Sequence, residues 1–504
     1  MPFSAVVPVS LSIALAAGPA PIPTAPFPHE EATVAELQAR MTDGSLSSVQ
    51  LTADYLDRIA AYSHLNAVLE ISPTARRDAE LLDEERRNGQ VRGPMHGIPV
   101  LIKGNILAVG LTTTAGSLIP PFSHRNTDST VVRHLRQAGA VVLGSTNLSE
   151  WAGFRGNPSV PGWSARGGQT HNPYRAGHHP CGSSSGSAVA ATSNLASVTL
   201  GTETDGSIIC PASMNGVVGY KPTWNASSGY GVVPLSSEQD IVGPITRTIQ
   251  DAVLVRNTIH PEAPPLQLED GWLDRRRIGV LRGNLDQNPK LGALFDQQLE
   301  ILRQAGAQLI EVELPGDGSW REDEFTALAF EFKDGITRFL RDWPAGSLRS
   351  LDDLIQFNID NAEQEMPLFG QELFEFAASK GEITDPEYRR ARQAAFAQAG
   401  PNGLARLLRG QNLDALVAPA SDQATALDAP LFTQLHYSAP AVAGYPSITV
   451  PMGDIDGMPV GMLFIGYLGQ DEDLLSYAYD YETRSRARRP PPAPEPGPSR
   501  GAAH

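Results

Sequence analysis

Apolar residues recur at helical spacing in the first part of the chain. Within residues 48–62 they lie four, four and three positions apart, on one face of a helix, at Leu51, Tyr55, Ile59 and Tyr62. Similar patterns predict helices over 33–41 and over 73–88. The second of these ends at Gly89, a residue typical of the position just after a helix.

From residue 97 onward, short continuous apolar runs alternate with helical patterns. Such runs are typical of strands that are buried on both faces. They are GIPVLIK (97–103), AVVLG (140–144), SVTLGTE (197–203), RRIGVLRG (276–283), LDALVAPA (413–420), SITVPMG (447–453) and GMPVGMLFIGY (457–467). Helical patterns over 129–140 and 187–196 separate the first three. The alternation predicts an α/β domain with a mixed, mostly parallel sheet covered by helices.

The strand pattern is interrupted once, by a charged helical stretch over about 285–405. The simplest organisation is therefore a single domain over 28–485 with a helical insert. The last segment, 486–504, is rich in proline and arginine and is predicted to be disordered.

The leader, residues 1–27, resembles a secretory signal. A mostly apolar run occupies 5–17 and contains the Ala-x-Ala sequence Ala14-Leu15-Ala16. No lysine or arginine precedes Arg40, so the basic start of such a signal is missing. We predict a secreted or periplasmic protein, with a cytoplasmic protein that carries a disordered leader as the alternative. No later run of 18 apolar residues predicts a membrane-spanning helix.

Composition narrows the possible partners. The formal net charge is −17, which disfavours nucleic acid and anionic membranes as partners. The only cysteines, Cys181 and Cys210, could form one bridge, but two small buried residues are the expected use. His178 and His179 lack further ligands at metal-binding spacing, so neither a metal nor another cofactor is expected.

A serine-rich segment, CGSSSGSA (181–188), contains the pattern G-x-S-x-G and nominates Ser184 as a nucleophile. The pattern requires an apolar strand before it, whereas NPYRAGHHP precedes it here. Only three histidines follow, at His260, His436 and His504. A Ser-His-Asp site around Ser184 is therefore the minority interpretation.

Two other segments offer a different chemistry. Lys103 is one of five lysines and closes an apolar run. A lysine buried in this way has a lowered pKa and can serve as a general base near neutral pH. In LGTETDGSI (200–208), Gly206 permits a tight turn before Ser207. Backbone N–H groups that converge in such a turn can hold an oxyanion, although an ordinary turn is the simpler interpretation of this stretch alone.

Together these segments resemble the amidase signature family of serine hydrolases. The similarity rests on GPMHGIPVLIKGNI, CGSSSGSAVAA, GTETDGSIICPA and GVVGYKPT, and it extends from about residue 32 to 485. The segments NLSEWAGFRGN and GWSARGGQTHNPYR look closest to the bacterial peptide amidases of that family. The resemblance implies a single amidase-signature α/β domain that hydrolyses carboxamide C–N bonds, here the C-terminal amide of peptides.

The resemblance also implies a catalytic triad. Ser207 matches the nucleophile, Ser183 the bridging serine in a cis peptide with Gly182, and Lys103 the base. The matching oxyanion hole consists of the backbone N–H groups of Thr204, Asp205, Gly206 and Ser207. The family commonly has aspartate where Gly104 stands.

Substrate contacts and alternative functions remain open from the sequence. Candidate substrate-binding residues are Arg155, Asn157, Gln169 and Ser184, for which bracing of the loops is an equal alternative. The expected partner is a peptide or small-molecule amide, and a monomer is favoured. The alternatives are an aryl or aliphatic amidase, the glutaminase subunit of a tRNA-dependent amidotransferase, and a catalytically impaired binding homologue.

Overall fold

The computed structural model describes residues 27–123, 126–429 and 436–492, so the predicted signal lies outside the described residues except for Phe27. Within this part of the chain, eleven strands form one sheet and two form a small hairpin. The strands are β1 Val68–Ile71, β2 Pro99–Lys103, β3 Val141–Thr146, β4 Trp163–Ser164, β5 Gly168–Gln169, β6 Val198–Glu203, β7 Val218–Lys221, β8 Ile241–Thr246, β9 Arg277–Leu281, β10 Gln308–Val312, β11 Ala415–Pro419, β12 Ser447–Ile455 and β13 Met458–Ile465.

Helices cover the sheet and fill the predicted insert. They are α1 Val34–Thr42, α2 Ser48–Ala61, α3 Ala75–Arg87, α4 Thr130–Gln137, α5 Ser185–Thr192, α6 Ile209–Met214, α7 Ile249–Ile259, α8 Pro289–Gln304, α9 Arg321–Asp342, α10 Leu351–Asp360, α11 Ala362–Glu365, α12 Glu372–Ala378, α13 Pro386–Ala399, α14 Arg406–Gly410, α15 Ser438–Ala443 and α16 Asp471–Ser485. The prediction of an α/β domain with a mixed sheet is confirmed.

The large sheet has the strand order β1-β3-β2-β6-β8-β7-β12-β13-β11-β9-β10. Parallel pairing is confined to two groups, β3-β2-β6 and β11-β9-β10. The strands between them pair antiparallel, as β1 does with β3. The parallel group β3-β2-β6 carries two of the three predicted catalytic segments.

The helical insert is shorter than the sequence predicted. Residues from 285 onward still belong to the sheet-based core, because β10 pairs in parallel with β9 at the edge of the sheet. The uninterrupted helical part begins with α9, at Arg321. The strand β10 escaped prediction because its residues are only partly buried, as expected at a sheet edge, and lack a continuous apolar run.

The sequence predicted a disordered tail from residue 486, but this boundary is too early, because Arg488 is held by other parts of the domain. The Arg488 guanidinium donates to both carboxylate oxygens of Glu31 at 2.7 Å, and to the Gly216 carbonyl at 2.6 Å. The segment just after α16 is therefore fixed against the start of the domain. No helix within the described ranges combines the length and apolar content needed to cross a bilayer.

One edge of the sheet gathers the predicted catalytic segments. Strands β2 and β6 are parallel neighbours, with Ile102 opposite Leu200, so their carboxyl ends open at the same edge. Lys103 ends β2, and the turn before Ser207 follows β6. Helix α5, all of whose residues are buried, begins directly after Ser184.

Candidate active site

Lys103 lies fully buried at the end of β2. Its Nζ is 2.8 Å from the Ser183 hydroxyl oxygen, 2.9 Å from Thr202 Oγ1 and 3.1 Å from the Thr202 carbonyl oxygen. Burial lowers the pKa of this lysine to about 7, the direction that the sequence predicts for a buried lysine. A substantial fraction of Lys103 is thus neutral near pH 7 and able to accept a proton from Ser183.

The two predicted catalytic serines lie on adjacent turns. The Gly182–Ser183 peptide bond is cis, as the resemblance implied. The Ser184 N–H donates to the Ser207 carbonyl at 3.1 Å, and the Ser149 N–H donates to the Ser183 carbonyl at 3.0 Å. Ser207 is 8% exposed, and its hydroxyl forms no hydrogen bond with another described residue.

The turn before Ser207 has the shape that an oxyanion site requires. Gly206 has φ +76°, and a Cβ atom there would overlap the Tyr437 ring, so only glycine fits. Within the described ranges, the N–H groups of Asp205, Gly206 and Ser207 have no acceptor. Just beyond, the Glu203 carboxylate accepts from the N–H groups of Ile208 and Ile209 and fixes the backbone that follows the serine.

A second carboxyl group, that of Asp240, supports the turn from the side of β8. Its Oδ1 accepts from the Thr204 hydroxyl at 2.6 Å, and its Oδ2 accepts from the N–H groups of Leu235 and Ser236. Burial raises the pKa of Asp240 to about 6. The negative charges of Asp240 and Glu203 raise the pKa of Lys103 and so oppose part of the effect of its burial.

The amidase family model matches residues 50–475. The chain belongs to the amidase family. This amidase is accordingly a hydrolase that acts on linear amide C–N bonds, and the family assignment made from the sequence motifs is confirmed.

Individual relatives and solved structures show which proteins of the family this amidase resembles. It is 37% identical over 481 residues to a probable amidase of Arabidopsis thaliana, covering 90% of each chain. It is 32% identical over 489 residues to one of the subunits of the glutamyl-tRNA(Gln) amidotransferase of a Synechococcus strain, covering 88% of this chain and 95% of the other. The native peptide amidase from Stenotrophomonas maltophilia has 50% identity and a TM-score of 0.88, covering 92% of this chain and 99% of that one.

Two candidate substrate-binding residues of this amidase instead brace its backbone. Ser184 is fully buried, and its hydroxyl donates to the Thr202 carbonyl at 3.0 Å. Arg155 is also fully buried: its Nη1 donates to the carbonyls of Phe369 and Gly370, and its guanidinium carbon lies 4.1 Å from the centre of the Phe369 ring. Both side chains have protein partners in the structure, which favours the alternative that they brace their loops.

The other two candidates differ from each other. The Gln169 amide donates to the carbonyls of Pro161 at 2.9 Å and Thr170 at 3.0 Å, so it braces its own loop. Asn157 is exposed, and its N–H donates to the Glu372 carboxylate at 3.1 Å. Of the four candidates, Asn157 alone is exposed to solvent, whereas Gln169 is half-buried.

Gly104, where the family commonly has aspartate, lies in a crowded place in this amidase. A Cβ atom at this position would approach Leu69 Cδ1 to 2.9 Å, the Thr146 carbonyl oxygen to 3.0 Å and Leu148 Cδ2 to 3.2 Å. The Gly104 N–H donates to that same Thr146 carbonyl at 3.0 Å. A side chain at 104 would thus require these neighbours to shift, and the contacts of Lys103 are made without an aspartate beside it.

The two cysteines form a disulfide, contrary to the expectation of two reduced residues. Cys181 lies two residues before Ser183, and Cys210 lies three residues after Ser207. The bridge therefore ties the two serine-bearing turns together. The sequence could not predict it, because 29 residues separate the cysteines and only the packing of α6 brings them together.

We expect loss of this disulfide to destabilise the amidase by about 3.5 kcal/mol, because the bridge restricts the unfolded chain over a loop of 29 residues. Urea unfolding of wild type and of a Cys181→Ser/Cys210→Ser variant, each with and without dithiothreitol, measures the difference. Dithiothreitol should destabilise wild type and leave the variant unchanged. Two alkylatable thiols in the native, unreduced protein would refute the bridge.

Proposed function

We propose that this amidase hydrolyses the C-terminal amide of peptides and releases ammonia through an acyl-enzyme on Ser207. The observation that carries the proposal is the 2.8 Å contact between Lys103 Nζ and Ser183 Oγ, beside the turn that bears Ser207. The 50% identity to the Stenotrophomonas peptide amidase over nearly the whole chain supports the choice of substrate.

In the proposed mechanism, neutral Lys103 accepts a proton from Ser183, with which it is in contact. Ser183 accepts one from Ser207, whose hydroxyl must turn toward Ser183 for this step because no hydrogen bond joins the two hydroxyls in the described structure. The Ser207 oxygen forms a bond to the amide carbon, while the N–H groups of the turn stabilise the charge on the carbonyl oxygen. The relay returns the proton to the leaving nitrogen as the C–N bond breaks, which releases ammonia. Water then attacks the ester by the same route and restores Ser207, leaving a carboxylate.

We also propose that the amidase works in an oxidising compartment, secreted or periplasmic. The disulfide supports this location, because such bridges persist mainly outside the reducing cytosol. The apolar run over 5–17 supports it independently.

A substrate panel tests the proposed reaction. We expect ammonia from N-blocked dipeptide amides, and no new amino termini from internal peptide bonds of the same compounds. Anilides, simple aliphatic amides and free glutamine serve as the competing substrates. Release of ammonia from glutamine, or of aniline from anilides, at rates above those for peptide amides would contradict the proposed substrate class and favour one of the alternatives.

A further inference from the structure

The side chain of Asp205, in the turn before Ser207, faces residues of two helices. Its Oδ2 accepts a hydrogen bond from the Ser438 hydroxyl, at the start of α15, at 2.7 Å. The carboxyl group of Glu324, in the first turn of α9, interacts with that of Asp205, and each affects the pKa of the other. Glu324 is 6% exposed. The turn is thus attached to both helices through one side chain.

Two carboxyl groups in contact are stable only if a proton lies between them, since two adjacent carboxylates repel each other. Asp205 Oδ1 is closed to solvent, and no N–H or hydroxyl group in the described part of the chain donates to it. Burial and the charge of Asp205 raise the pKa of Glu324 well above its usual value. Burial raises the pKa of Asp205 as well, but Ser438 and the positive charge of Arg321 favour its ionised form, so we place the shared proton on Glu324.

Glu324 is joined to the same turn a second time. Its Oε1 accepts from the Gln239 amide at 2.9 Å, and that amide also donates to the Thr204 carbonyl at 3.2 Å. On the other side, the Trp320 indole donates to the Ser438 hydroxyl at 3.0 Å. A continuous series of hydrogen bonds therefore joins α9 to Thr204, and another joins α15 to Asp205. Thr204 and Asp205 are the first two residues of the turn.

We propose that Glu324 is a positioning residue for the hydrolysis: as a neutral acid, it donates to Asp205 and holds the backbone N–H groups of the turn where the oxyanion forms. This inference rests on the proposed function, in which those N–H groups stabilise the transition state. A displacement of about 1 Å at such a site can cost about a hundredfold in rate.

The inference gives the rate a particular dependence on pH. Activity first rises with pH as Lys103 loses its proton. Once the pH passes the pKa of Glu324, the pair carries two negative charges, which repel, and the turn loses its attachment, so activity falls. Lys221 also titrates in the alkaline part of this pH range, because burial lowers its pKa to about 8. The charged groups that face the pair are Arg321 on α9, Lys221 on β7, Arg392 on α13 and Glu203 on β6.

Three variants separate a shared proton from simple packing. Glu324→Gln retains a donor to Asp205 that cannot ionise, so we expect near-normal kcat at neutral pH and loss of the alkaline fall. Glu324→Ala leaves Asp205 Oδ1 without a donor, whereas Oδ2 keeps the hydrogen bond from Ser438, and we expect kcat to fall about tenfold to a hundredfold with KM changed less than about threefold. Glu322→Gln removes an exposed carboxyl group from the same helix and should match wild type.

The measurement is kcat and KM for a dipeptide amide between pH 6 and 10, with circular dichroism of each variant. Should Glu324→Ala fail to fold, Asp205→Asn serves in its place, because an asparagine amide can donate to ionised Glu324 and should likewise remove the alkaline fall. An unchanged alkaline fall in Glu324→Gln would overturn the inference and assign that fall to Lys221. Absence of ammonia release by wild type would overturn the proposed function, and this inference with it.

Discussion

Replacement of Ser207 by alanine is expected to abolish ammonia release from peptide amides, with kcat lowered by about 10⁴-fold or more. The Ser207 hydroxyl is the nucleophile of the proposed reaction, and alanine offers no atom that can form the acyl-enzyme. The substitution removes only an oxygen that has no hydrogen-bond partner in the described part of the chain, so the fold should be unaffected. Ammonia release and labelling with a fluorophosphonate probe measure the effect.

A neighbouring serine provides the matched control. Ser184 fits the G-x-S-x-G pattern, yet its hydroxyl is fully buried against Thr202 of β6. Ser184→Ala should therefore still be labelled by the probe at Ser207, whereas Ser207→Ala should not be labelled at all. A label mapped to Ser184 in wild type would contradict the assignment of the nucleophile.

The strands that were predicted from the sequence are those whose own residues, as a run of apolar side chains, indicate a buried position. Strands β2, β3 and β6 are buried along their whole length and appear as continuous apolar runs. The edge strands β1 and β10 are only partly buried, so nothing in their short segments separates them from loops. The sequence also missed β7 and β8, which are buried throughout, because VGYK and IVGPIT are short and are interrupted by glycine or proline.

The same distinction applies to the candidate site. The buried position of Lys103 and the tight turn at Gly206 follow from short segments, so they could be predicted. The supporting carboxyl groups could not be, because Asp240 and Glu324 lie far along the chain and meet the turn only through the fold. Arg155 shows a related limit: its place in a loop was compatible with a substrate contact or with bracing of the loop, and only the fold shows its side chain buried against Phe369.

Replacement of Lys103 by arginine or methionine is expected to lower kcat/KM by about a thousandfold or more at neutral pH, since a positioned base contributes roughly 10²–10⁴-fold. Arginine keeps the positive charge but cannot lose its proton, and methionine keeps much of the length without a basic atom. Both should be inactive if Lys103 must be neutral to accept the Ser183 proton. If the lysine served only to place a positive charge, arginine would retain activity.

The pH profile of wild type tests the same point without a mutation. Because the reactive form of Lys103 is the neutral one, kcat/KM should rise with pH through the pKa of the free enzyme's lysine, about 7. At pH 6 the lysine is mostly protonated, so the rate there should be about a tenth of the plateau. Burial of Lys103 is what brings its pKa into this range, and the carboxyl groups of Asp240 and Glu203 keep it from falling further. If the rise of wild-type kcat/KM with pH had its midpoint near pH 5, the assignment of Lys103 as the base would be contradicted.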